Sequence, residues 1–249
     1  MKSISTVINT KNLFLLLAVS LITQQACKKD DDKPVPPVVV ANQTFSQGFE
    51  STDSLNSQGW IFRNLSDTIP FDTADGSGGP GIGWAVESET SNGEVPYEGS
   101  GLLYGSYLAA TDFDGNISDW LISPKLFLQN GDKISFYTLS HGSVGYGASG
   151  SFPDRLQLRL NVFNTSDSIG TTSTDVGNFT KPLLDINPVY KVSPPGDYPS
   201  TWTKYEATIT GLNQPDSGRF ALRYFVELHG GANGDELAVD KLEFTSAGQ

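Results

Sequence analysis

Cysteine is almost missing from this chain: Cys27 is the only one in 249 residues. One thiol cannot close an intramolecular disulfide, and a structural zinc centre built on cysteines is excluded with it. Histidine is nearly absent too, with only His141 and His229. No Gly-x-Ser-x-Gly elbow accompanies them, so a hydrolase triad has no support. Positive charge is scarce: 16 Lys and Arg stand against 28 Asp and Glu, for a net charge of −12. A surface of that sign repels phosphates and argues against a nucleic-acid partner. Long apolar runs are lacking as well. Residues 13–22 form a run of about ten, well short of the roughly 20 that a membrane-spanning helix needs. No twelve-residue window sustains a 3.6-residue apolar period, which argues against long amphipathic helices.

What the N-terminus does have is an address. Lys2 and Lys11 precede the apolar run 13–22, and Ala26-Cys27 follows it. Short basic, apolar and small-residue regions in that order are the make-up of a signal peptide. The stretch resembles a bacterial lipoprotein signal, which implies that Cys27 becomes the lipidated first residue of an exported, outer-membrane lipoprotein. The run Lys28-Lys29-Asp30-Asp31-Asp32 is similar to signals that send such lipoproteins to the cell surface; a solvated spacer is the plainer reading. Residues 33–40, with three prolines, form a stiff extended tether. The expected organisation is therefore a signal peptide over 1–26, a lipidated cysteine and tether over 27–42, and one domain over 43–249.

Within that domain, short apolar or alternating runs are separated by Gly, Asn, Asp and Pro clusters, and the chain carries 26 Gly and 14 Pro. This is an all-β pattern. Strands are expected at 44–50, 59–63, 84–87, 101–109, 117–122, 133–141, 155–163, 202–210, 219–227 and 237–244. The clearest alternation, Leu156-Gln157-Leu158-Arg159-Leu160, sends three leucines to one face. Residues 219–227 are dense enough to be buried on both faces. Asn130-Gly131-Asp132 is a tight-turn signal. In Ser118-Asp119-Trp120-Leu121-Ile122-Ser123-Pro124, Trp120 and Ile122 share one face and are expected in the core. Pro124 has no N–H for a ladder and should end the strand.

The order of these pieces carries a resemblance. Gly48-Phe49-Glu50, Gly59-Trp60, the Trp120 stretch, Ile134-Ser135-Phe136-Tyr137, residues 153–160, Trp202-Thr203-Lys204-Tyr205, residues 220–226 and Leu237-Ala238-Val239-Asp240 together resemble choice-of-anchor J domains, which are related to cleaved-adhesin and MAM domains. The resemblance covers most of residues 44–246. It implies a jelly-roll-like β-sandwich and a non-catalytic role in binding or adhesion, toward glycan or protein. The alternatives are a carbohydrate hydrolase using paired carboxylates and an accessory subunit of a surface complex.

The resemblance also implies a structural calcium between the first and last strands. Glu50 and Asp240 match the acids at those places, and Asp119 is a possible third ligand. Ca²⁺ takes six to eight oxygens from carboxylates, carbonyls and water. Bonding of Glu50 and Asp240 to backbone N–H groups or to Arg223 is the purely structural alternative. Asp112-Phe113-Asp114-Gly115-Asn116 has calcium-loop spacing, but Ser123 stands where an EF-hand needs Glu, and a plain hairpin loop is preferred. Tyr97, Tyr104, Tyr146, Tyr190, Tyr198 and Phe152 fall in or beside loops, where an aromatic face with a polar tip suits saccharide and protein contacts. Tyr146, between two glycines, is the leading exposed candidate. Trp60, Trp120 and Trp202 are expected in the core.

Overall fold

The computed structural model describes residues 40–69, 79, 81–112, 114–140, 152–227 and 232–248. Cys27, Tyr146, His141 and His229 lie outside the described residues, and so do the expectations attached to them.

The described chain is an all-β sandwich of two antiparallel sheets. Its strands are β1 (Phe45–Gln47), β2 (Ile61–Asn64), β3 (Ala85–Glu87), β4 (Leu102–Ser106), β5 (Ile117–Ile122), β6 (Leu126–Leu128), β7 (Lys133–Ser140), β8 (Leu156–Asn161), β9 (Lys181–Ile186), β10 (Thr203–Thr208), β11 (Asp216–Val226) and β12 (Glu236–Thr245). The first sheet runs β10-β7-β12-β4-β3, with β1 also on β12; the second runs β2-β5-β11-β8-β9, with β6 also on β11. The described residues hold one α-helix, α1 (Thr52–Ser57), N-capped by the Ser51 side chain accepting the Ser54 N–H and burying Leu55, and one 3-10 turn at Tyr107–Ala109.

Each sheet is built around one long strand. In β11, Phe220, Leu222, Tyr224 and Val226 point between the sheets, joined from β8 by Leu156, Leu158 and Leu160. From β12 and β7, Leu237, Val239, Leu242, Phe244, Ile134 and Phe136 close the same core. The alternation of residues 156–160 and the double burial of residues 219–226 are thus as expected. Pro124 does interrupt the strand: β5 ends at Ile122 and β6 resumes at Leu126, both on β11. Gly131, with φ 94°, turns the chain between β6 and β7.

β9 falls where no strand was expected. It contains Pro182, yet it pairs with β8 at the sheet edge, where a missing N–H faces away from the ladder. The Asp112 stretch forms a plain turn, in which Asp112 accepts the N–H groups of Asp114 and Gly115.

The orientation of β5 corrects one expectation. Trp120 and Ile122 are fully buried, but not between the sheets. The inward side chains are Ile117, Asp119 and Leu121. Trp120 and Ile122 lie on the outer face, in a separate cluster with Ala221, Ile169 and Phe179. The segment 162–180 covers that face. Three arginines hold its backbone carbonyls: Arg219 Nε donates to Thr165 O at 2.9 Å, Arg223 Nη2 to Ser173 O at 2.5 Å and Arg159 Nε to Phe179 O at 2.8 Å.

Candidate binding face and acid pair

The outer face of the first sheet has a cover of its own, the 88–101 segment between β3 and β4. Ser91 and Asn92 donate to the buried Glu236 carboxylate, the latter at 2.6 Å. Tyr104 donates its hydroxyl to the same carboxylate at 2.6 Å, and burial pushes the Tyr104 phenol up to about 12. Further along, Val95 O accepts the Trp202 indole N–H at 3.1 Å. The Glu98 N–H reaches Asp240 Oδ2 at 2.9 Å, and the Ser100 N–H and hydroxyl reach Glu50 Oε2 at 3.0 and 2.6 Å. Beneath the cover, Leu102, Leu139 and Ala238 form a small apolar patch with Tyr104 and Trp202 against it.

The covering segment carries Tyr97 onto the outward side chain of Tyr137. The rings stack at 3.8 Å with 16° between planes, and Trp202 meets Tyr97 edge-on at 6.3 Å. Lys241 Nζ lies 5.7 Å from the Tyr97 ring and is ion-paired to Glu98 at 2.6 Å. Tyr97 remains 41% exposed, and Tyr137 and Trp202 are half-buried. Three aromatic rings thus meet solvent beside charged side chains, a combination of apolar faces and polar tips suited to binding. Two expectations change here. Trp202 is not a core residue: it sits on the outer face, because the inward positions of β10 belong to Tyr205 and Ala207. Tyr198 is not a loop aromatic open to solvent: it is fully buried and shares a hydrogen bond with the Thr138 hydroxyl at 2.7 Å. One sign of the face was in the sequence. If Ile134 and Phe136 point inward, Tyr137 must point out.

The three acids expected around a cation do not all meet. Glu50 and Asp240 come together at the root of the covering segment. Glu50 is held below its ordinary range by the Ser100 hydroxyl and N–H. Asp240 is pushed up by burial, partly offset by the N–H groups of Glu98, Lys241 and Tyr97, with the Glu50 charge adding to the rise. Each is next to a residue with unusual backbone: Phe49 and Lys241 have φ of 54° and 47°, and the β7–β12 register shifts between Asp240 and Glu243. A Cβ on Gly99 would fall 1.9 Å from Glu50 Oε1, and one on Gly101 would fall 2.3 Å from the Phe49 carbonyl oxygen. The loop therefore closes over these oxygens only with glycine at both places.

Asp119 lies elsewhere. It points inward from β5, accepts the N–H groups of Trp84 and Trp120, and has an unpartnered buried Oδ2. Burial raises its carboxyl well above the carboxylate range. Its place beside Gly83 and Asn64 follows from its position on β5, whose inner face lies against β3's leading segment. Among the described residues no group of three or more His, Cys, Asp or Glu converges as metal ligands would. Arg223, offered as a partner for Glu50 or Asp240, instead packs on the outer face of the second sheet between the Phe225 and Trp120 rings, at 3.7 and 4.8 Å.

A third raised carboxyl, Asp154, was not singled out in the sequence. Burial brings it to about 7, against the hydrogen bonds of Ser140, Tyr224 and the Asp235 N–H. Asp119, Asp154 and Asp240 are all sealed from solvent. The described cavities, lined by residues 162–216, 184–205 and 189–195, include none of them.

No family model matches the chain, and no curated protein matches it. Among solved structures, it is similar to the K1 cleaved adhesin domain of Lys-gingipain from Porphyromonas gingivalis W83 (18% identity, 82% of this chain and 99% of that one, TM-score 0.46). It is similar also to the K3 cleaved adhesin domain of the same protein (16% identity, 83% and 100%, TM-score 0.49). A third is the family 11 carbohydrate-binding module from Clostridium thermocellum in complex with a mixed-linked tetrasaccharide (14% identity, 85% and 99%, TM-score 0.41).

Proposed function

We propose that the chain is a non-catalytic binding module that uses the Tyr97–Tyr137–Trp202 face to hold a glycan or protein surface outside the cell. The observation that carries this reading is the trio of rings left half-exposed together on the outer face of the first sheet. Stacked and edge-on rings are rigid and expose apolar area at little entropic cost, while Lys241 and Glu98 at the rim offer hydrogen bonds. The experiment is an array of glycans and of extracellular proteins probed with the wild-type protein and a Tyr97→Ala/Trp202→Ala variant. The variant should lose at least about tenfold in affinity, the loss of roughly 1.4 kcal/mol that one aromatic anchor supplies. Full-strength binding by the double variant would remove this face from the function.

The Glu50–Asp240 pair suits a structural Ca²⁺ at the root of the same segment. Two carboxylates from distant strands both hold the 98–100 stretch, and the Glu50 charge raises the cost of ionising Asp240, a cost that a cation would offset. Glu50 and Asp240 would hold the ion, with carbonyl oxygens and water completing the shell. The ion would supply positive charge alone and would fix the segment that presents Tyr97. At free Ca²⁺ one hundred times the dissociation constant, binding adds about 2.7 kcal/mol, so chelator should lower Tm by about 5–10 °C. An unchanged Tm at saturating chelator would rule the ion out.

Lipidation of Cys27 would carry the module at the outer membrane on the tether of residues 28–42. A multiply acylated cysteine anchors stably because each buried CH₂ adds about 0.8 kcal/mol. Cys27→Ala should move the protein from the membrane to the soluble fraction. Continued sedimentation with membranes would refute the anchor.

A further inference from the structure

A cavity of about 500 Å³ lies at one end of the sandwich, away from the Tyr97 face, lined by Phe163, Lys181, Leu212, Asn213, Gln214 and Asp216, among others. Its volume lies within the roughly 300–1,000 Å³ usual for small-molecule sites. Phe163 is 72% exposed, the most open of the large apolar side chains described. At that exposure its apolar face is free to stack on a ligand.

Both walls are held in place before any ligand arrives. On one side the buried Asn161 accepts the Phe163 N–H at 3.2 Å and donates to Asn164 Oδ1 and Ser166 O at 2.8 and 3.0 Å. On the other, Asn130 and Leu212 exchange two hydrogen bonds, at 2.7 and 2.9 Å. Lys181 Nζ donates to Thr210 O at the root of the same loop. The backbone that carries Phe163 and the loop that faces it are therefore held, which spares a ligand the cost of ordering them.

The chemistry of the lining selects the ligand. Asn213 and Gln214 are exposed, and their side chains make no hydrogen bond among the described residues. Each amide offers two donors and an acceptor, and Asp216 adds carboxylate acceptors. Lys181 and Asp216 bring opposite charges to the cavity, so it favours no net charge in its occupant. A ligand that offers an apolar face to Phe163 and several hydroxyls to the amides, without a charge of its own, meets all of these terms. We propose that this cavity binds a neutral saccharide, with one sugar ring against Phe163 and its hydroxyls bonded to Asn213, Gln214 and Asp216.

The test is a titration of the ¹⁵N-labelled protein with glucose, galactose, N-acetylglucosamine and their linear trisaccharides, read by NMR. At least one of these probes should shift the side-chain amide signals of Asn213 and Gln214 together with the backbone of residues 211–216. Phe163→Ala should weaken that binding about tenfold, the effect of losing one stacked ring. Because Phe163 is on the surface, an unchanged Tm would show that the variant is folded. A second variant, Asn213→Ala/Gln214→Ala, should give the same loss, whereas Tyr97→Ala should leave it untouched. Absence of any shift at residues 211–216 with all the probes would overturn the proposal, as would unchanged affinity in Phe163→Ala. Shifts confined to the surroundings of Tyr97 and Trp202 would overturn it too, while leaving the proposed binding face in place.

Discussion

Trp120→Ala is expected to cost about 3–5 kcal/mol of stability, the range for truncating a fully buried tryptophan. In a domain of this size that corresponds to a fall in Tm of roughly 6–20 °C. The reason lies in what Trp120 touches. Its indole N–H donates to Ser118 Oγ at 3.0 Å, and the same oxygen accepts Arg223 Nε and Nη2 at 3.1 and 3.0 Å. Its ring packs 5.7 Å from Phe179 in the covering segment 162–180. The guanidinium of Arg223 lies between the Trp120 and Phe225 rings and has no carboxylate within hydrogen-bonding distance among the described residues; burial brings it down to about 9. The two rings, the Ser118 hydroxyl oxygen, the Gln157 side-chain carbonyl and the Ser173 carbonyl are therefore what make a buried cation tolerable there. Removing Trp120 opens a cavity, bares the cation on one side and loosens the segment above. Urea unfolding should show the loss, and limited proteolysis should cut first within residues 162–180. A loss below 1 kcal/mol would mean that the outer cluster contributes little to the fold.

The stability of the protein should fall as pH rises from 5 to 8, and Asp154→Asn should make that fall smaller. Asp154 has a folded value of about 7 against 3.8 for the free group. Between these values the folded protein keeps a proton that the unfolded chain releases, so rising pH favours unfolding. The contribution is intact below about pH 4 and is gone above about pH 7, a change of about 4 kcal/mol, of which about 3 falls between pH 5 and 8. That corresponds to a fall in Tm of roughly 6–12 °C. Asparagine keeps the shape and the main bonds: its oxygen can accept the Tyr224 hydroxyl and the Asp235 N–H, and its amide can donate to Ser140. It has no proton to lose. Asp119, also raised by burial, acts in the same direction, so Asp119→Asn combined with Asp154→Asn should flatten the profile further. Thermal melts across this range check the point. A wild-type Tm that rises with pH, or a full slope surviving in Asp154→Asn, would contradict it.

Much of the scaffold was readable from side-chain order. Leu156, Leu158 and Leu160 alternate, and β8 turns them inward together. Pro124 ends β5 because it has no N–H to give. Strand β9 was not readable, because an edge strand tolerates Pro182 and needs only half its backbone groups paired. Glu50 and Asp240 could be matched to each other from the first-strand and last-strand positions. Asp119 could not be separated from them, because strand membership says nothing about which sheet an acid belongs to.

The sequence by itself determined that the body is built of strands, where most of them run, and that disulfides and a cysteine-based zinc site take no part. Those properties follow from local terms: alternation, turn residues and the kinds of side chain present. Only the tertiary structure decided which faces of β5 and β10 are inside. Trp120 and Trp202 looked like core residues because they are large and apolar, yet both lie on outer faces, one sealed by residues 162–180 and the other left half-open beside residues 88–101. Hydrophobicity calls for burial but does not name the cover. In a sandwich whose sheets have a second cover of loop, the cover is chosen by long-range contacts: here, arginines on backbone carbonyls over one sheet and a glycine-hinged segment crossing the other.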